Sequence, residues 1–206
     1  MKENRFHIIF VMVAGIVTLS CNLVRTLSPR VTPTETISPT YIALHVNEFP
    51  TFTIYWDRLL WEQELAVSPV REDFELDSAD PGELSFPFLS GHGFLLEELG
   101  DVTAQILNDP NLLGSGNQLH IRAWQEGLGF HFPDGQAVTA FGFDYKGSDD
   151  WILRIHEVEI LVPKGRRGFV GVIMIEDYPM DFNLTSENNA QGGLSIDNLL
   201  YVHQNP

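Results

Sequence analysis

Cysteine is almost missing from this chain: Cys21 stands alone among 206 residues. No intramolecular disulfide can form, and everything after residue 21 lacks a thiol for metal binding or nucleophilic catalysis. Basic residues are scarce as well, 12 Lys and Arg against 28 Asp and Glu, for a formal charge of -16. That balance argues against nucleic acid or an anionic membrane face as partner, since both need neutralising cations. Long amphipathic helices between strands are absent, which removes a doubly wound parallel sheet from consideration. Catalytic signatures are thin. His45, His92, His120, His131, His156 and His203 are scattered, with no His-Glu-x-x-His spacing. No Gly-x-Ser-x-Gly elbow occurs, and "GSGNQ" at 114–118 precedes a strand pattern, the wrong setting for a phosphate loop. The calcium loop of the helix-loop-helix type is missing too.

What is present divides the chain into three. Lys2 and Arg5 precede an apolar run from Ile8 to Leu19, followed by Ser20 and Cys21. A basic start, a short apolar core and a small-residue site read as an export signal over residues 1–20. The run is shorter than the roughly 20 apolar residues of a stable membrane span. "TLSC" resembles the lipobox of bacterial lipoproteins, which makes Cys21 the lipidation site, although Thr18 stands where the pattern prefers Leu. Simple secretion and an uncleaved anchor are the alternatives. Residues 21–40 are rich in Thr, Ser and Pro, and Pro29, Pro33 and Pro39 favour an extended tether. Residues 41–206 then suffice for one domain with its own core.

Within that domain "YWDRLLWEQELAV" (55–67) predicts a helix, with Asp57 near its start, Trp56, Leu59, Leu60 and Leu65 sharing a face, and Pro69 as its stop. Trp56 and Trp61 are expected to pin it to the sheets. "LLEELGDVTAQIL" (95–107) fits helix and strand equally. The rest alternates with period two. "REDFELD" sends Asp73, Glu75 and Asp77 one way and Phe74 and Leu76 the other. "QLHIRAW" groups Leu119, Ile121 and Ala123. "AVTAFGFDY" groups Phe141 and Phe143. "WILRIHEVEILV" is a long strand or a bent pair, with His156 on a sheet face. "RRGFVGVIMI" suits a central strand, and "SIDNLLYVH" sets Ile196 and Leu200 against Asp197 and Leu199. Turns such as "PDG", "KGSDD" and "PKGRRG" separate them. The pattern predicts an all-β fold, an antiparallel jelly-roll-like β-sandwich with a short N-terminal helix, with a barrel as the alternative. First and last strands often pair in jelly rolls, which would set "REDFELD" beside "GGLSIDNLLYV".

Candidate sites follow from that arrangement. Calcium takes six to eight oxygens. Asp73, Glu75 and Asp197 point outward if Phe74 and Ile196 point inward, and paired terminal strands would bring them together near Asn198. Solvated surface carboxylates are the competing reading. Asp144, with Asp149 and Asp150 after it, reads as a strand-end residue bonding nearby backbone, or as a second cation site. Trp124 and Trp151 are the candidates for stacking on a sugar ring, against the alternative that both fill the core. Glu83, Glu97, Glu98, Glu126 and Glu157 are the acids from which a hydrolytic pair would be drawn.

The pieces "YWDRLLWEQELA", "EDFELD", "LHIRAW", "GLGFHFPDGQAVTAFGFDYKG", "GRRGFVGV" and "GGLSIDNLLY" span about residues 52–201. In this order they resemble exported bacterial β-sandwich proteins, many of which carry a C-terminal PEP-CTERM sorting signal. No Pro-Glu-Pro motif, apolar tail or basic end follows the last strand here, and a lipid on Cys21 would replace that anchor. The resemblance implies a surface domain similar to jelly-roll modules that bind carbohydrate or calcium, at the bacterial cell surface or in the periplasm, or secreted. It implies no activity. The resulting expectation is a noncatalytic, surface-tethered β-sandwich that binds an extracellular glycan and is stabilised by calcium. A structural envelope or matrix protein and a glycoside hydrolase are the alternatives.

Overall fold

A computed structural model describes residues 46–77, 82–114, 116–124, 126–165, 167–186 and 190–204. The signal, the tether and Cys21 lie outside the described residues. Within the compact unit Ala43–Pro206, two antiparallel sheets stack face to face. The larger has the order β1 (Val46–Glu48), β2 (Phe52–Tyr55), β12 (Arg167–Met174), β9 (Val138–Gly147), β14 (Ala190–His203), β7 (Gln118–Ala123) and β6 (Val102–Leu107). A further strand, β3 (Val70–Glu72), pairs with Leu199–Tyr201 of β14, beyond the reach of β7. The smaller sheet has the order β11 (Val158–Val162), β10 (Trp151–Ile155), β13 (Asp181–Ser186), β8 (Gly127–His131), β5 (Leu95–Leu99) and β4 (Phe88–Leu89). The fold is thus an all-β sandwich, jelly-roll-like, with one short α-helix among the described residues, α1 (Arg58–Glu64). None of the described helices is long and apolar enough to cross a membrane.

Period-two alternation builds the core. Leu119, Ile121 and Ala123 of β7, and Phe141 and Phe143 of β9, are buried from the larger sheet. Leu128 and Phe130 of β8, and Phe182 and Leu184 of β13, are buried from the smaller. At the centre the Phe182 ring lies between Phe130 and Phe141, each centroid 4.7 Å away and nearly parallel. Residues 95–107 resolve into strands of different sheets, β5 and β6, turned at Gly100, whose φ of +77° suits glycine.

The helix packs on the outer face of the larger sheet. Asp57 caps it by accepting from Leu60 N at 3.1 Å. The buried residue is Trp61, with Leu65 partly buried beside it, whereas Leu59 and Leu60 face solvent. Trp61 donates Nε1–H to the Val172 carbonyl at 3.2 Å and meets the Phe169 ring at 5.5 Å. A side chain at Gly171 would collide with the indole, so glycine there lets the helix dock. Trp61→Ala is expected to destabilise the protein by about 3–5 kcal/mol, read by urea unfolding, because it empties the centre of this second cluster.

Another part of that outer face lies under the loop between β6 and β7. Lys146 Nζ bonds Asn111 O at 2.5 Å, Arg167 bonds Pro110 O at 3.1 Å, and Gln118 bonds Asp109 O and Gly114 O.

Three local readings need correction. The "REDFELD" strand ends at Glu72: Phe74 has φ +57° and turns inward, and Leu76 is exposed. Its first half does pair with β14, as the jelly-roll analogy suggests. In β14 the alternation breaks at Asn198, whose φ is +49°. Asp197 faces Asp144, but Leu200 faces Gly142, so one extra residue bulges out. Ile196 and Leu199 therefore both enter the main core, and Leu200 joins the Trp61 cluster instead. His156 does not line a sheet face. It occupies the β10–β11 turn with φ +51° and splits the long strand in two.

Candidate functional site

The outer face of the smaller sheet is open, and its register sets its chemistry. With Leu96, Phe130, Phe182 and Leu153 turned inward, the alternate residues form rows across the strands. One row reads Leu99, Gly127, Thr185, Ile152 and Leu161. The next reads Glu97, Gly129, Asn183, Arg154 and Glu159. A third holds Leu95, His131 and Asp181. Two glycines on β8 leave the middle of the sheet without side chains. A Cβ on Gly129 would stand 3.3 Å from Asn183 Oδ1 and 3.8 Å from Leu99 Cδ2, inside the resulting trough.

That trough is a recess of about 520 Å³ lined by Leu99, Glu126, Ile152, Arg154, Asn183, Thr185 and Ser186. Apolar Leu99 and Ile152 alternate with an amide, a hydroxyl and a guanidinium. Arg154 is oriented from outside the recess by Glu159, whose Oε1 accepts from Nε at 3.2 Å and Nη2 at 2.5 Å. At the far end His131 sits between Glu97 (3.2 Å) and Asp181 (3.8 Å). The chain crosses from β7 to β8 at the near end, where the Glu126 backbone carbonyl accepts from Ser186 N. Trp124 stands two residues earlier, 39% exposed.

The two tryptophans proposed from sequence therefore part company. Trp124 keeps an exposed ring surface at the end of the sheet nearest the recess. Trp151 is wholly buried, its ring inside the sandwich, so it offers no face to a sugar. It starts β10, and its side chain follows the inward set with Leu153 and Ile155.

The expected calcium ligands do not form one oxygen cage. Glu75 turns away and accepts from Asn117 N at 2.9 Å. Asp73 accepts from Glu75 N and lies 3.7 Å from Arg71. Asp197 and Asn198 do meet, but at a different partner, Asp144. The Asn198 amide donates to Asp144 Oδ2 at 2.7 Å, and Arg58 of α1 donates to the same oxygen at 2.9 Å. An amide nitrogen and a guanidinium thus occupy the positions a cation would need. Burial pushes the Asp197 carboxyl up to about 6, with the Asn198 N–H and Arg71 opposing and Asp144 and Asp73 reinforcing. Burial raises Asp144 too, against Asn198 and Arg58. Asp144 is a mid-strand residue of β9, not a strand end. Asp150 belongs elsewhere, accepting from Lys164 N at 3.0 Å, which lowers its pKa.

One group escaped sequence reasoning. Glu72, Asp73 and His92 bring potential ligand atoms within 4.8 Å of one another. Glu72 is fully buried, and both its oxygens are already in use. Oε1 accepts from Phe74 N at 2.8 Å and faces His92 Nδ1 at 3.0 Å. Oε2 accepts from His92 N at 3.1 Å and from Ser90 Oγ. With its lone pairs committed to four protein donors, Glu72 fits a structural clamp between two loops better than a metal ligand. The hydrogen bond to Glu72 raises the His92 pKa above its ordinary 6.5. A lone acid in an acidic stretch carries no signal of this role.

No protein-family model matches the chain, and no curated protein matches it. Several solved structures share parts of its shape. A family 11 carbohydrate-binding module from a Clostridium thermocellum cellulosomal cellulase is 16% identical, with a TM-score of 0.41 over 68% of this chain and 97% of the module. A family 29 carbohydrate-binding module is 9% identical, with a TM-score of 0.27 over 66% of this chain and 89% of the module. The enzymatically active domain of a bacteriophage CBA120 tailspike is 16% identical, with a TM-score of 0.37 over 63% of this chain and 22% of the tailspike chain. Such distant likenesses leave the site to be read from its own geometry.

Proposed function

We propose that this protein is a noncatalytic β-sandwich that binds an extracellular glycan along the outer face of its smaller sheet. The observation that carries the reading is the glycine-floored recess, where Leu99 and Ile152 stand among Arg154, Asn183 and Thr185. A sugar ring presents C–H surface on its faces and hydroxyls around its edge. A long, open, mixed polar and apolar trough matches both, whereas a small apolar ligand favours an enclosed pocket. From Gly127 to His131 the open outer face follows β8 for about 13 Å, enough for several contacts along a chain. Hydrolysis would need two carboxylates flanking a bond. Among the lining residues Glu126 is one acid without a second, and Glu97 on the same face is turned to His131.

The proposal extends to display: export by residues 1–20, a lipid on Cys21 and a tether to residue 40 would hold this face away from a membrane. The glycan reading draws on no cation: Glu75, Asp73 and Asn198 are each held by other groups of the protein. The test is affinity electrophoresis and calorimetry of the purified protein against a panel of soluble polysaccharides. Binding to at least one is expected. Gly129→Val, which fills the floor, and Arg154→Ala should each weaken it at least tenfold while the melting temperature stays within a few degrees. Absence of binding across the panel, or binding indifferent to both substitutions, would sink the reading.

A further inference from the structure

Resting on the glycan reading, a second question is which glycans the face admits, and its charges answer it. The outer rows carry three carboxylates, Glu97, Glu159 and Asp181, to which the recess lining adds Glu126, and two side chains able to be cationic, Arg154 and His131. Both of the latter already face acids. Arg154 donates twice to Glu159, and His131 lies between Glu97 and Asp181. No cation on these rows is left without a carboxylate partner. Glu126, by contrast, is exposed at the near end of the recess, with its carboxylate over Gly100, where the positive φ and the closeness of Oε2 leave no space for a side chain. A ligand lying in the recess therefore meets hydroxyl, amide and aliphatic groups, the Arg154 guanidinium already matched by Glu159, and the Glu126 carboxylate, with Glu97 on the adjoining outer face across Gly129 from Asn183. The formal charge of -16 for the whole chain adds a field of the same sign.

We propose that the site is selective for uncharged glycans and rejects chains bearing carboxylate or sulfate groups, with Glu126 and Glu97 as the specificity-determining residues. Rejection here is repulsive. An acidic sugar would place its anion beside carboxylates without gaining a free guanidinium or ammonium, and such a charge mismatch discriminates more strongly than a missing contact. Arg154 lines the recess with its charge already matched by Glu159, which holds its Nε and Nη2.

The experiment compares three forms of one polysaccharide taken from those that bind: the native polymer, its hydroxyethyl derivative and its carboxymethyl derivative at matched substitution. The hydroxyethyl form reports the steric cost of a substituent, and the carboxymethyl form adds the charge. Carboxymethyl binding is expected to be at least tenfold weaker than hydroxyethyl binding at low ionic strength, and the gap should narrow as salt screens it. Glu126→Gln should reduce the ratio between these two forms, and Glu97→Gln should reduce it independently. Equal binding of the two derivatives, or a ratio untouched by both substitutions, would overturn the selectivity. If no polysaccharide of the panel binds, the glycan reading itself falls and this inference with it.

Discussion

Glu72→Ala is expected to destabilise the protein by about 3–5 kcal/mol and lower its melting temperature by roughly 10 °C. The carboxylate is fully buried and collects Phe74 N, His92 N, Ser90 Oγ and His92 Nδ1. Truncation leaves those donors facing one another across a void, and each buried, unmade hydrogen bond costs about 1–3 kcal/mol. His92→Ala should cost much less, since that ring is partly exposed and its loss leaves Glu72 three of its donors. The pair also predicts a pH dependence. The His92 pKa is raised in the folded protein, so its contribution is complete below pH 6.5 and declines as pH rises through the elevated value. Unfolding in urea at pH 5.5 and 8.5 should therefore show a larger cost of His92→Ala at the lower pH. A Glu72→Ala cost below about 1 kcal/mol would show that the loops hold without the clamp.

Asp197→Asn should do the opposite and stabilise the protein at neutral pH. The Asp197 carboxyl is raised from 3.8 to about 6 by burial, with Asp144 and Asp73 adding repulsion. A carboxylate with a raised folded-state pKa gives stability that falls as pH climbs from about 4 to 6 and is level beyond. Its ionised form then costs about 3 kcal/mol, an order-of-magnitude figure. Asparagine keeps an oxygen for Asn198 N, which Asp197 Oδ1 accepts at 2.6 Å, and removes the charge. A gain of about 1–3 kcal/mol is expected at pH 7.5, shrinking towards zero at pH 4. The check is denaturant unfolding of both proteins at the two pH values. An equal difference at both would mean that the ionisation of Asp197 is not the source of the strain.

The parts of this fold that sequence made legible are those where one face of a strand is dry and the other wet. Leu119, Ile121 and Ala123 announce a buried face in six residues, as do Phe141 and Phe143, because a side-chain period of two admits one register. Asn198 shows where such reading stops. A bulge adds one residue without changing composition, and it carried Leu199 into the core and Leu200 out of it. The tryptophans failed differently. Trp124 and Trp151 both stand at strand ends among polar neighbours, and only pairing with other strands decides which way each ring points. The recess was illegible for a related reason. Leu99, Glu126, Ile152 and Asn183 come from separate stretches that meet only through the order of the smaller sheet. The glycines of "GLGFHF" carry no sign of their place, which is the middle of the outer face, between β5 and β13.

The two broad faces of the sandwich are not equivalent. Helix α1 and the loop tied down by Lys146, Arg167 and Gln118 cover part of the back of the larger sheet, whereas the smaller sheet presents an open recess. On the proposed glycan reading, a protein built this way would be monovalent. One molecule would hold a polymer at one place without bridging two chains, so any cross-linking or retention would come from density, many copies side by side on a common support. For a binder of modest strength, that density multiplies apparent affinity where a second site on the same molecule would otherwise be needed.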